Sequence, residues 1–66
     1  MTIAKTIEIS AESPKSFEDA IKLGIERAEK SLKNVKGAWV AEQKVSVENG
    51  NIVSFRVIMR VSFVLD

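Results

Sequence analysis

The chain has 66 residues, 45% of them hydrophobic, with 10 basic and 9 acidic side chains and a net charge of +1. That is one small domain over residues 1–66, apolar enough to fold and too weakly charged for nucleic acid to be an expected partner. With no Cys and no His, disulfides and a Cys/His zinc site are excluded; so short a chain buries only roughly 60% of its unfolded surface, which leaves self-association as the expected support.

No apolar run approaches the ~18 residues of a membrane span. The opening "MTIAKTIEIS" alternates and does not form the continuous apolar block of a secretion signal. A cytoplasmic location is the expectation. No Ser/His/Asp, Cys/His or phosphate-cradling glycine motif occurs, so binding is expected rather than catalysis.

The first element is a strand. Ile3, Ile7 and Ile9 alternate with Thr2, Thr6, Glu8 and Ser10, the period of a half-buried strand. A helix follows. Pro14 suits its first position with Ser13 as N-cap, and Glu18 and Asp19 then lie near the positive end of the helix dipole. Phe17, Ala20, Ile21, Gly24, Ile25, Ala28 and Leu32 make one apolar face. Lys15, Lys22, Glu26, Glu29, Lys30 and Lys33 make the opposite, solvated one. Gly24 within the apolar face implies close approach of the sheet. Asn34 and Gly37 supply a helix stop.

A second strand is expected from Ala38 to Val47 and a third from Ile52 to Leu65. Asn49-Gly50 between them is a two-residue hairpin signal of type I′. That loop pairs Glu48 with Asn51, Val47 with Ile52, Gln43 with Arg56, Ala41 with Ile58 and Trp39 with Arg60. The third strand carries Val53, Phe55, Val57, Met59, Val61 and Phe63 on one face, which must take the helix over Ala38 and Val40. Trp39, Ala41, Gln43, Val45 and Val47 then share the other face with Ile52, Arg56, Ile58 and Arg60. That face is apolar enough to imply a contact outside the monomer. A three-residue loop with a bulge would instead put Trp39 opposite Met59, under the helix; Asn-Gly favours the shorter loop. The helical crossover makes the first two strands co-directional. A fully antiparallel sheet therefore needs the third strand in the middle, order 1-3-2. The fold class is α+β, βαββ, three strands packed on one helix.

At this point the chain resembles the dodecin family. The resemblance rests on "ESPKSFEDAIKLGIERAEKSLKNV", similar to the family's Ser-x-x-Ser-Phe-x-x-Ala-Ile helix, and on "FRVIMRVSFVLD", similar to its Tyr-Gln-Val-x-x-x-Val-x-Phe-x-Leu ending. It implies a hollow homododecamer of such subunits. It also implies non-enzymatic binding or storage of a small molecule, in many members a flavin held between symmetry-related subunits. The departures bear on the ligand. In the family run Asp-Trp-Phe-Glu-Val the flavin-stacking Trp falls, ungapped, on Gly37 and the Glu on Trp39, and the flavin-contacting Gln falls on Arg56. Arg there resembles members lacking the usual flavin site, including those described as calcium dodecins.

The candidate ligand residues are accordingly Gly37, Trp39, Gln43, Arg56 and Arg60. Trp39 can stack a flat ligand or fill a subunit interface. Arg56, Arg60 and Lys44 can meet a ligand phosphate or a neighbouring subunit's carboxylate, inter-subunit ion pairs with Glu42 or Glu48 being the expected ones. The expectation is weakened binding of riboflavin and FMN, with Arg56 partly compensating for the phosphorylated flavin. An assembly or ion-binding shell without flavin is the alternative. No Asp/Asn-rich calcium loop is present, and the sequence names no metal ligand set. A small RNA-binding module is a weaker reading, because the sheet lacks a surface of stacking aromatics.

Overall fold

The computed structural model describes residues 3–65, so Thr2 of the first alternating stretch lies outside the described residues. Its elements are strand β1 (Ile3–Ser13), helix α1 (Phe17–Ser31), strand β2 (Val35–Glu48) and strand β3 (Asn51–Leu65). The strands form one antiparallel sheet of order β1-β3-β2, the βαββ arrangement expected from the crossover. The strands outrun the helix, and the described chain measures 52 × 19 × 13 Å. Among the described residues no helix is long and apolar enough to cross a membrane.

The start of the helix differs from expectation. Ser13 ends β1, paired with Phe55, and does not cap α1. Extended backbone before proline suits a cap as well as a strand; the pairing with Phe55 is what makes Ser13 the end of β1. Ser16 is the N-cap, extended at φ −172° and ψ 167°, and its Oγ accepts from Asp19 N at 2.9 Å. Ser13 is buried. Its hydroxyl donates to Asp19 Oδ2 at 2.6 Å and accepts from Lys15 N at 3.0 Å, which ties the strand end to the first helical turn.

The helix stop is also built differently. Leu32 N donates to Ala28 O at 2.8 Å. Asn34 then takes left-handed backbone, φ 60°, which Asn tolerates better than most side chains. Its carbonyl accepts from Val64 N at 3.1 Å. Gly37 takes no part: it lies inside β2, opposite Ser62, because β2 begins at Val35 rather than Ala38.

One side of β3 makes the core. Val57, Met59, Val61 and Phe63 are buried under Ala20, Gly24 and Ala28 of α1, with Ile9 and Ala11 of β1 packed alongside. Phe17 meets Phe55 edge to face at 5.1 Å. A Cβ on Gly24 would lie 2.5 Å from Met59 Cε and 3.1 Å from Ala11 Cβ, so a glycine is what admits this seating. The helix lies over β1 and β3 far more than over β2. Val40 is therefore only half-buried and Ala38 is exposed, where the sequence placed both under the helix.

The hairpin turn is the expected one. Asn49 and Gly50 are both left-handed, φ 52° and 78°, and Glu48 faces Asn51 while Val47 faces Ile52. Trp39 faces Arg60, again as expected. Between these points two bulges intervene, and the expected pairs are replaced. Lys44, not Gln43, faces Arg56; Glu42, not Ala41, faces Ile58. The extra residue is Val53 on β3 at the first bulge and Ala41 on β2 at the second, so the two cancel before Trp39. Gln43 and Val45 turn to the helix side, opposite Val57 and Phe55. A bulge-free ladder would put Glu42, Lys44 and Ser46 on the apolar face. The shift moves all three to the polar one, and burial pattern sets register wherever one face is apolar.

Two substitutions separate these constraints. Gly24→Val should cost about 2 kcal/mol, as overpacking of a closed contact does. Gly50→Ala should cost about 1 kcal/mol through left-handed backbone alone, since nothing lies within 4 Å of the added methyl. Denaturant midpoints at matched protein concentration check both. An unchanged midpoint for Gly24→Val would mean that the helix is not seated this closely.

Candidate ligand-binding face

Residues of β3 that alternate with the core point to the other side of the sheet. Their partners on the outer strands fall in rows across that side. Glu8, Arg60 and Trp39 form one row; Ser10, Ile58 and Glu42 the next; Glu12, Arg56 and Lys44 the third. Beyond Trp39 the row is Thr6, Ser62 and Gly37. Among the described residues no element covers the face. Trp39 is 50% exposed, and as an edge-strand residue it also borders the groove between α1 and β2 that Ile21, Ile25, Val35 and Met59 line.

The arginines are tied within the chain. Arg56 donates from Nη2 at 2.6 Å and from Nε at 2.9 Å to the same oxygen, Oε1 of Glu12. Arg60 Nε stands 3.6 Å from Glu8 Oε2. Within the chain, the carboxylates that meet these arginines therefore come from β1. Their place follows from the β1–β3 register: with Ile7 opposite Val61 and Ile9 opposite Met59, Glu8 must face Arg60 and Glu12 must face Arg56. That register was accessible to sequence reasoning through the apolar alternation of both strands, and Glu8 and Glu12 were the residues missed.

Of the sequence-derived candidates, Gly37, Trp39, Arg56 and Arg60 share the outer face, and Gln43 stands apart from them on the helix side. Gly37 carries no side chain to stack, and Ser62 Oγ donates to its carbonyl at 3.3 Å. These four rows thus offer one half-exposed indole, one half-buried aliphatic side chain at Ile58, and equal numbers of cations and carboxylates. Such a surface can stack a flat ring and can hydrogen-bond at its margins. Among the described residues no three carboxylates converge to hold a metal ion.

The chain can be set beside known proteins on this basis. The family model described as Dodecin matches residues 3–66. The chain is 33% identical over 63 residues to a calcium dodecin of Mycobacterium tuberculosis, a match covering 96% of this chain and 89% of that protein. The solved structure of a dodecin from Streptomyces davaonensis is similar with a TM-score of 0.93 at 32% identity, over 98% of this chain and 96% of that one. The crystal structure of the M. tuberculosis calcium dodecin, described as calcium chelating, is similar with a TM-score of 0.84 at 31% identity, over 97% and 91% of the two chains. With a family match along nearly its whole described length and the same sheet order and helix, the chain belongs to the dodecin family.

Proposed function

We propose that the chain works as a non-enzymatic cytoplasmic binding protein. It assembles as a homododecamer and takes a flat, flavin-type small molecule on its outer sheet face. The observation that carries this reading is Trp39, half-exposed in a row with Arg60 and Glu8 on an uncovered sheet face. Assembly is supported by the apolar side chains left in solvent along the hairpin: Val45, Val47, Ile52 and Val53 are all exposed, more than a small monomer ordinarily leaves in one strip. Flavin binding is weaker than in a dodecin with a stacking Trp at the position of Gly37 and a Gln at that of Arg56. One lost stacking contact is worth on the order of 1–3 kcal/mol per ring, or roughly 5- to 200-fold in affinity.

A second reading is favoured by the relative in M. tuberculosis, a calcium dodecin. Calcium takes 6–8 oxygens, and a single copy of this chain assembles no three carboxylates among its described residues. An ion bound here would draw its ligands from several copies, with Glu8, Glu12 and Glu42 the available carboxylates of the outer face.

Light scattering at micromolar concentration should report about twelve subunits, as core area this marginal requires support from neighbours; a folded monomer at that concentration would sink the assembly. Riboflavin quenching should be measurable and should disappear in Trp39→Ala while the assembly size persists. If the assembly loosens first, Trp39 is an interface residue instead. Calcium-dependent assembly with no flavin quenching in either protein favours the second reading.

A further inference from the structure

The geometry points to Glu12 as the residue that sets the charge preference of the ligand face: by occupying Arg56 it keeps phosphates and other anions off that face. The inference rests on the reading of the outer face as the ligand face. Arg56 turns two N–H donors, Nε and Nη2, onto one oxygen of Glu12 at 2.9 and 2.6 Å. That edge of the guanidinium is the one that grips a phosphate through two parallel bonds. The pair is about half in water, at 46% and 44% exposure, so an exposed carboxylate, not burial, denies the site to an anion.

The surroundings sharpen the effect. Lys44 stands directly opposite Arg56 across the hairpin, and like charges so placed repel. Glu12 on the other side of Arg56 offsets that repulsion. With it, the row carries one net positive charge; without it, two adjacent unpaired cations, the electrostatic footprint of an anion site. Over the three rows, Lys44, Arg56 and Arg60 are balanced by Glu8, Glu12 and Glu42. The face as built therefore suits an uncharged flat ligand. Arg56 does not confer the advantage for FMN over riboflavin that its charge alone implies.

The test is equilibrium dialysis of the intact assembly with labelled inorganic pyrophosphate, for wild type, Glu12→Gln and Glu12→Gln/Arg56→Gln. Glu12→Gln should bind pyrophosphate roughly tenfold more tightly than wild type, from removal of a nearby repelling charge, and the gain should fall with added salt. The double variant should lose it. Where the glutamine variant fails to assemble, Glu12→Thr removes the same charge with a residue favoured in strands. Wild-type binding as tight as the variant's, no gain in the variant, or a gain that survives Arg56→Gln each overturns the inference. In parallel, fluorescence titration should show riboflavin and FMN bound alike by wild type and FMN preferred by Glu12→Gln. If neither flavin binds either protein, the flavin reading falls while the pyrophosphate result still decides the role of Glu12.

Discussion

The seating of β3 beneath α1 is the constraint on which the rest of the domain depends. β3 is the strand paired on both sides, and its buried residues Val57, Met59, Val61 and Phe63 each contribute about 1.5–3 kcal/mol of burial. Gly24 sets how deep the helix sits, because Met59 and Ala11 occupy the space that any side chain there would need. Side chains alternate along a strand with a period of two. Once Met59 and Val57 are committed to the core, Arg60, Ile58 and Arg56 are committed to the opposite side. The proposed ligand face is therefore positioned by the packing of residues that never touch it.

The electrostatics of that face follow from the same register. Glu8 and Glu12 reach Arg60 and Arg56 only because Ile9 and Ala11 lie beside Met59 and Val57. Exposed ion pairs of this kind contribute ~0–1 kcal/mol to stability, so the fold gains little from them. Their larger effect is on the field. A face whose cations are matched one for one by carboxylates exerts little long-range pull on a charged ligand. Attraction there must come from contact: the Trp39 ring and the Ile58 side chain for a flat ligand, or carboxylates gathered from several copies for an ion.

Much of this was legible in the sequence, and the failures have physical causes. The hairpin was readable because Asn49-Gly50 is a local signal with a single favoured geometry. The sheet order was readable because a helical crossover and an antiparallel requirement leave one solution. The N-cap was misplaced because Ser13 and Ser16 are both good caps; what decides between them is the pairing of Ser13 with Phe55, a contact between residues far apart in the chain. The bulges at Val53 and Ala41 were invisible to a count of residues from the turn. Because they cancel, Trp39 was placed correctly opposite Arg60 while Gln43, between them, was placed on the wrong face. The polar run Glu42, Lys44 and Ser46 against apolar Phe55 and Val57 was the signal that a straight ladder would not serve.

The departures from the family's flavin pattern fall where the fold has little at stake. Gly37 does not require glycine: its backbone is not left-handed, and a Cβ there would meet only Ser62 Oγ, at 3.9 Å. Nor does Arg56 reach the core, since its side chain lies in solvent against Glu12. What differs is the row in which the aromatic ring stands. A Trp at position 37 would stand beside Ser62 and Thr6, neutral and small; the Trp at 39 stands beside Arg60 and Glu8. The two positions share a face and lie ~6.5–7 Å apart along the strand. Moving the ring by that distance replaces a neutral hydroxyl neighbourhood with an ion pair, while Val57, Met59 and Val61 keep their places underneath. A sheet with its core on one side and its proposed binding surface on the other can change its ligand by such steps, because neither residue involved contributes to the burial that holds the sheet together.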